Sequence, residues 1–124
     1  MFEYSKNQKL CNETVIEELF SSGKSFTTSA VRLVWKADDN QDEGVVKSII
    51  VVPKKKIKLA VHRNIIRRRM KEVFRLHKTE LYNTLKYKGL KLNIAIIYQK
   101  YKILPYEILE EEIKLILKRL NNEL

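Results

Sequence analysis

Cysteine is nearly missing from this sequence: Cys11 is the only one among 124 residues. It cannot form an internal disulfide, and no metal-ligand or catalytic spacing surrounds it, so it reads as an incidental thiol. Three glycines and two prolines leave few interior breaks and no glycine-rich loop to cradle a phosphate or a dinucleotide. No nucleophile motif is present. The two histidines, His62 and His77, have no cysteine or acidic neighbour at a metal-ligand spacing, which argues against a zinc site. Asp38, Asp39, Asp42 and Glu43 read as a solvated turn rather than a divalent-ion site. No apolar run reaches the roughly 18 residues that span a bilayer, and the opening MFEYSKNQKL lacks a secretory apolar stretch. These absences point to a soluble protein of a reducing cytoplasm, with no membrane partner and no small-molecule substrate.

What is abundant is positive charge. Lysine and arginine number 25 against 15 acidic residues, a net charge of +10. From Lys47 to Lys88 fourteen basic residues face only Glu72 and Glu80, so this third of the chain holds the entire excess. Such a block implies a polyanionic partner. Leu, Ile, Val and Phe make up about a third of the chain, well above the roughly one-fifth typical of disorder. The length suits a single domain over residues 1–124, and the partner of its basic block is either nucleic acid or an anionic membrane surface.

Asn12 can cap a helix from Glu13 to Ser22, stopped by Gly23, with Val15, Ile16, Leu19 and Phe20 on one face. Ser25 to Ala37 is β-branched and aromatic and predicts a strand. A polar turn, Asp38 to Gly44, leads to a second strand, Val45 to Val52, as its hairpin partner. Pro53 ends that strand because it cannot donate to a ladder. A basic loop carries Lys54, Lys55, Lys56 and Lys58, and a long helix follows from Leu59 to Lys86, stopped by Gly89. Lys91 to Tyr98 predicts a buried third strand. A last helix, Tyr106 to Leu120, follows Pro105, with Ile108, Leu109, Ile113, Ile116, Leu117 and Leu120 as its core face. The order α-β-β-α-β-α predicts an α+β domain with one small sheet of three or four strands, packed by helices. The strand-helix-strand succession suggests a parallel pair.

The long helix carries the functional argument. At 100° per residue, Ile66, Met70, Val73 and Phe74 fall within an arc of roughly 100° and form the buried face. Arg67, Arg68, Lys71 and Arg75 fall within a neighbouring arc of about the same width, with Arg63 at the seam. Like charges every fourth residue repel by a few tenths of a kcal/mol per pair. A solvated face normally mixes signs. An amphipathic membrane anchor needs apolar residues that this helix spends on the core. The face therefore suits phosphates, and arginine grips them with two hydrogen bonds. Asn64 lies inside the basic arc, where it can reach a ribose or base edge, or bond locally.

The run from Lys54 to Arg75, KKKIKLAVHRNIIRRRMKEVFR, resembles the bacterial ribonuclease P protein family: a basic loop, Ala-Val, an Arg-Asn-Arg triplet, a Lys/Arg-Arg pair and Arg-Glu-x-Phe-Arg. The rest of the chain agrees in order and length. Ile65 stands where the triplet has its second arginine, and Ile16 stands at an aromatic position of the first helix. Before the helix, Val52-Pro53-Lys54-Lys55 replaces the usual Ser-Val-Ser-Lys-Lys.

The resemblance implies a fold like domain 2 of ribosomal protein S5, with a left-handed crossover. It also implies a monomeric subunit of ribonuclease P, in which a large RNA holds magnesium ions, performs the hydrolysis and removes the 5′ leader of precursor tRNA. The protein alone would bind no cofactor. Lys54, Lys55, Lys56, Lys58, Arg63, Asn64, Arg67, Arg68, Lys71 and Arg75 would contact the catalytic RNA. A cleft between the first helix and the sheet, carrying Ile16, Phe20, Phe26 and Trp35, would receive the leader by stacking. Core packing is the alternative for these aromatics, although the indole N–H of Trp35 suggests partial exposure. Two other readings of the whole chain remain: a different RNA-binding module, and a stand-alone nuclease.

Overall fold

A computed structural model describes Ser21 and residues 23–37 and 46–124, with Val46 and Lys47 described by backbone alone. Apart from the helical Ser21, the predicted Glu13–Ser22 helix lies outside the described residues, as do Cys11, Ile16, Phe20 and the Asp38–Gly44 turn. The elements are β1 (Lys24–Thr27), β2 (Val31–Ala37), β3 (Val46–Val51), α1 (Ala60–His77), α2 (Thr79–Lys88), β4 (Leu92–Tyr98) and α3 (Tyr106–Glu123). They build a small α+β domain with one mixed four-stranded sheet in the order β1-β2-β4-β3.

The segment Ser25–Ala37, expected as one strand, is a hairpin. The Thr28 N–H donates to the Val31 carbonyl at 2.8 Å, and the Thr28 hydroxyl accepts from the Val31 N–H at 3.3 Å. A threonine that can satisfy backbone groups locally turns the chain where propensity alone would extend it. Nor does β3 pair with β2, as the predicted hairpin required. β4 lies between them, antiparallel to β2 and parallel to β3. All seven residues of β4 are buried, and a strand apolar on both faces gains most from the centre of the sheet. The expected parallel pair is β3 with β4.

The long helix breaks at Lys78, which is shared by α1 and α2. An unbroken 59–86 helix would run about 40 Å, past the edge of a domain roughly 35 Å across. The break keeps Leu81 and Leu85 buried, and the Phe74 and Tyr82 rings meet edge to face at 6.5 Å. Gly89 ends α2 as expected, at φ 68°, with its N–H on the Lys86 carbonyl and that of Leu90 on Leu85. α3 starts after Pro105 and runs three residues beyond Leu120. Its buried stripe is Leu109, Ile113, Ile116, Leu117 and Leu120. Ile108, expected in the core, is exposed because it lies about 140° around the helix from Ile113.

Strand alternation sorts the sheet into two faces. Val31, Leu33, Trp35, Leu92, Ile94, Ile96, Tyr98 and Ile50 share the main core with Ile66, Met70, Val73 and Phe74 of α1 and the α3 stripe. On the other face Val34, Ala95 and Ile97 form a second buried cluster, with Ile49 and Val51 against it.

Candidate nucleic-acid interface

The basic loop is a tight turn. The Pro53 carbonyl accepts from the Lys56 and Ile57 N–H groups at 3.0 and 3.1 Å. Ile57 is buried and anchors the turn, which leaves Lys54, Lys55 and Lys58 exposed. Arg63 then ties the loop to α1: its Nη1 donates to the Ile57 and Lys58 carbonyls at 2.9 and 2.8 Å. α1 has no acidic residue in its first turn and no side-chain cap, so the positive end of its dipole adds to the lysines.

Beyond the loop, α1 is two-sided as its periodicity requires. Ile66, Met70, Val73 and Phe74 are buried, and Arg68 and Lys71 are exposed. Asn64 takes the local option: its Oδ1 accepts from Arg67 Nη1 at 2.8 Å. Among the described residues Arg67, Arg68, Lys54, Lys55 and Lys58 meet no carboxylate. Arg75 does: it pairs with Glu72 through its Nε at 3.2 Å and through its Nη2. That hydrogen bond holds the Glu72 carboxyl below its ordinary value and raises Arg75 above its own. Lys78 is pushed down to about 8, first by burial and then by the charge of Arg75, and its Nζ lies 4.9 Å from the centre of the Tyr82 ring.

Several residues outside the expected set hold this surface in place. Arg69 points away from the basic arc and donates to the Leu104 carbonyl at 2.9 Å. His77 Nε2 and Glu110 Oε2 lie 2.9 Å apart, joining the end of α1 to α3. Their partners are 35 and 33 residues distant, beyond any local spacing rule. His62 lines a groove with Lys55, Lys58 and Tyr101.

Phe26 and Trp35, expected in a stacking cleft, are on the helix-covered side. Phe26 pairs across the hairpin with Leu33 and is part-buried, with the Arg119 guanidinium 4.9 Å from its ring centre. Trp35 is 8% exposed rather than partly open, because it shares strand parity with Val31 and Leu33. Its Nε1 finds no hydrogen-bond partner among the described residues. The cross-strand rows of the opposite face include Arg32 with Ile97 and Val51, and Val34 with Ala95 and Ile49. Arg32 is exposed at its rim. The alternation that separates these rows from Trp35 is legible in the sequence; which face the helices cover is not.

Among the described residues no helix is long and apolar enough to cross a membrane, and no three His, Cys, Asp or Glu side chains gather as a metal site. The fold and surface define a small α+β domain that presents one cationic helix face and a cationic loop. A family model described as Ribonuclease P matches residues 4–121. The ribonuclease P protein component of Porphyromonas gingivalis is 28% identical over 96 residues, covering 77% of this chain and 70% of that protein. That of Chlorobium phaeobacteroides is 30% identical over 118 residues, covering 87% and 81%. The RNase P protein of Staphylococcus aureus superposes with a TM-score of 0.72 at 20% identity, covering 91% of this chain and 94% of that one. The Thermotoga maritima protein gives 0.66 at 21% identity, covering 90% and 96%. The chain belongs to the ribonuclease P protein component family, and so to a component of a tRNA-processing endoribonuclease.

Proposed function

We propose that this chain is the cytoplasmic, monomeric protein subunit of ribonuclease P. It binds the catalytic RNA and the 5′ leader of precursor tRNA, and assists removal of that leader. The observation that carries the reading is the division of α1: one side sealed into the core by Ile66, Met70, Val73 and Phe74, the other offering Arg67, Arg68 and Lys71 beside the lysines of the 54–58 turn. Phosphates brought against this face release their counterions, which makes binding favourable and salt-dependent. Arg63 serves as the brace that orients the loop.

In this reading the magnesium ions are held by the RNA and supply the hydrolytic chemistry. The protein's part is electrostatic and positional. It offsets repulsion between two polyanions and directs the leader past exposed Arg32 and the part-buried Ile49 and Val51 on the other side of the sheet. Trp35 and Phe26 serve that face from beneath, as core.

The test is reconstitution. Full-length protein, ribonuclease P RNA and precursor tRNA are combined at low magnesium, and leader release is followed on a gel. Stimulated release by the complex, with intact substrate when the protein acts alone, is the expected result. No stimulation, with RNA binding retained, would leave a different RNA-binding module. Cleavage by RNA-free protein would make it a stand-alone nuclease.

A further inference from the structure

The connection between β4 and α3 lies against the basic loop, and a groove of about 370 Å³ runs between them. Lys55, Lys58, Leu59, His62, Tyr101 and Lys102 line it, and no carboxylate does. Tyr101 is 73% exposed, yet it is not a loose surface ring. Lys56 Nζ stands 4.3 Å from its ring centre and donates to its hydroxyl at 3.2 Å. The backbone that carries it is held by the Tyr98 hydroxyl, which donates to the Lys102 carbonyl at 2.6 Å and accepts from the Leu104 N–H at 3.2 Å. Leu59, 58% exposed, adds an apolar wall. Tyr87 is a useful contrast: it is 91% exposed, has no lysine over its ring among the described contacts, and shares its surface with Glu80.

A fixed aromatic ring, backed by an ammonium and flanked by cations in a groove the size of a single nucleotide, has the chemistry of a base-stacking platform. We propose that Tyr101, supported by Lys56, stacks one unpaired nucleotide of bound RNA, while Lys55, Lys58 and Lys102 meet the adjoining phosphates. The inference rests on the RNA-binding reading above and assigns it a specific residue.

The experiment compares Tyr101→Ala, Tyr101→Leu and Tyr101→Phe in the full chain against three probes: a single-stranded RNA of about eight nucleotides, ribonuclease P RNA alone, and the holoenzyme with precursor tRNA. Loss of one stacked base weakens binding by about 5- to 50-fold in the Ala and Leu variants, while Phe stays within about twofold. The salt slope is unchanged in all three, since no charge is removed. A melt matching the parent's separates this loss from misfolding, and the exposure of Tyr101 makes that match the expected result. A penalty seen only with leader-bearing precursor tRNA places the nucleotide in the leader; one seen with ribonuclease P RNA alone places it there. Parent-like binding of Tyr101→Ala to all three probes overturns the platform. If the parent still stimulates leader release in that case, only the platform falls; if the parent does not, the functional reading falls with it.

Discussion

Glu112 of α3 holds the β1–β2 turn: its Oε1 accepts from the Ala30 N–H at 2.8 Å and from the Ser29 hydroxyl at 2.9 Å. Burial alone would push this carboxyl up. The hydrogen bonds from Thr28, Ser29 and Ala30, with the charge of Lys100, outweigh it and leave Glu112 below its ordinary value of 4.5. The sign follows from linkage. A carboxyl lowered by folding stabilises the protein above its unfolded value, and that contribution disappears as pH falls through the folded value. Glu112→Ala is expected to lose about 1–2 kcal/mol at pH 7. In urea melts from pH 7 to 3, the gap between parent and variant should close below about pH 4.5. A gap that stays constant with pH would mean the ionised carboxylate is not what holds the turn.

The helix face makes a second prediction, read in salt dependence. Arg67→Ala or Lys71→Ala should weaken binding to ribonuclease P RNA and make the log–log salt slope shallower by about one. The parent slope, if four to six phosphates are neutralised, is roughly −3 to −5. Glu72→Gln should do the reverse. It releases Arg75 from its carboxylate partner and removes a negative charge from the face, so affinity should rise by about 2- to 5-fold at low salt. Weaker binding in Glu72→Gln would show that the Glu72–Arg75 pair orients the guanidinium for RNA.

Arg69 predicts a dissociation between stability and binding. Its guanidinium is spent on the Leu104 carbonyl, so Arg69→Met should cost about 1–3 kcal/mol in a denaturant melt and leave the salt slope unaltered. Arg68→Ala, at an exposed neighbour, should do the opposite. A shallower slope in Arg69→Met would add Arg69 to the RNA-contacting set.

Gly89 offers a local check on the fold. A Cβ there would meet nothing within 4 Å, but its φ of 68° strains any L side chain. Gly89→Ala should therefore cost about 1–2 kcal/mol through backbone strain alone, with RNA affinity unchanged. A neutral effect in the melt would mean the α2 end relaxes out of the left-handed conformation.

Much of this surface can be read from residue order. The spacing of Ile66, Met70, Val73 and Phe74 identifies the buried side of α1, and that alone turns Arg67, Arg68 and Lys71 outward. The motif from Lys54 to Arg75 names the family. Gly89 and Pro105 mark their helix ends because their backbone chemistry acts locally. The errors fall elsewhere. The Thr28 turn was hidden inside a β-branched run, and Lys78 interrupts a pattern that periodicity carries straight through.

Periodicity says which side of an element is apolar, and charge says what the other side attracts; both are properties of the chain read one residue after another. Which neighbour covers the apolar side is settled by competition among all elements for burial. That competition put β4 in the centre of the sheet, sent Trp35 and Phe26 under the helices, and left Val34, Ala95 and Ile97 to floor the opposite face. It also brought Tyr101 to Lys56 across 45 residues, Arg69 to Leu104, and Glu112 to Ala30. Contacts so far apart in the chain have no local signal, because their free energy exists only once the folded core has set the distances.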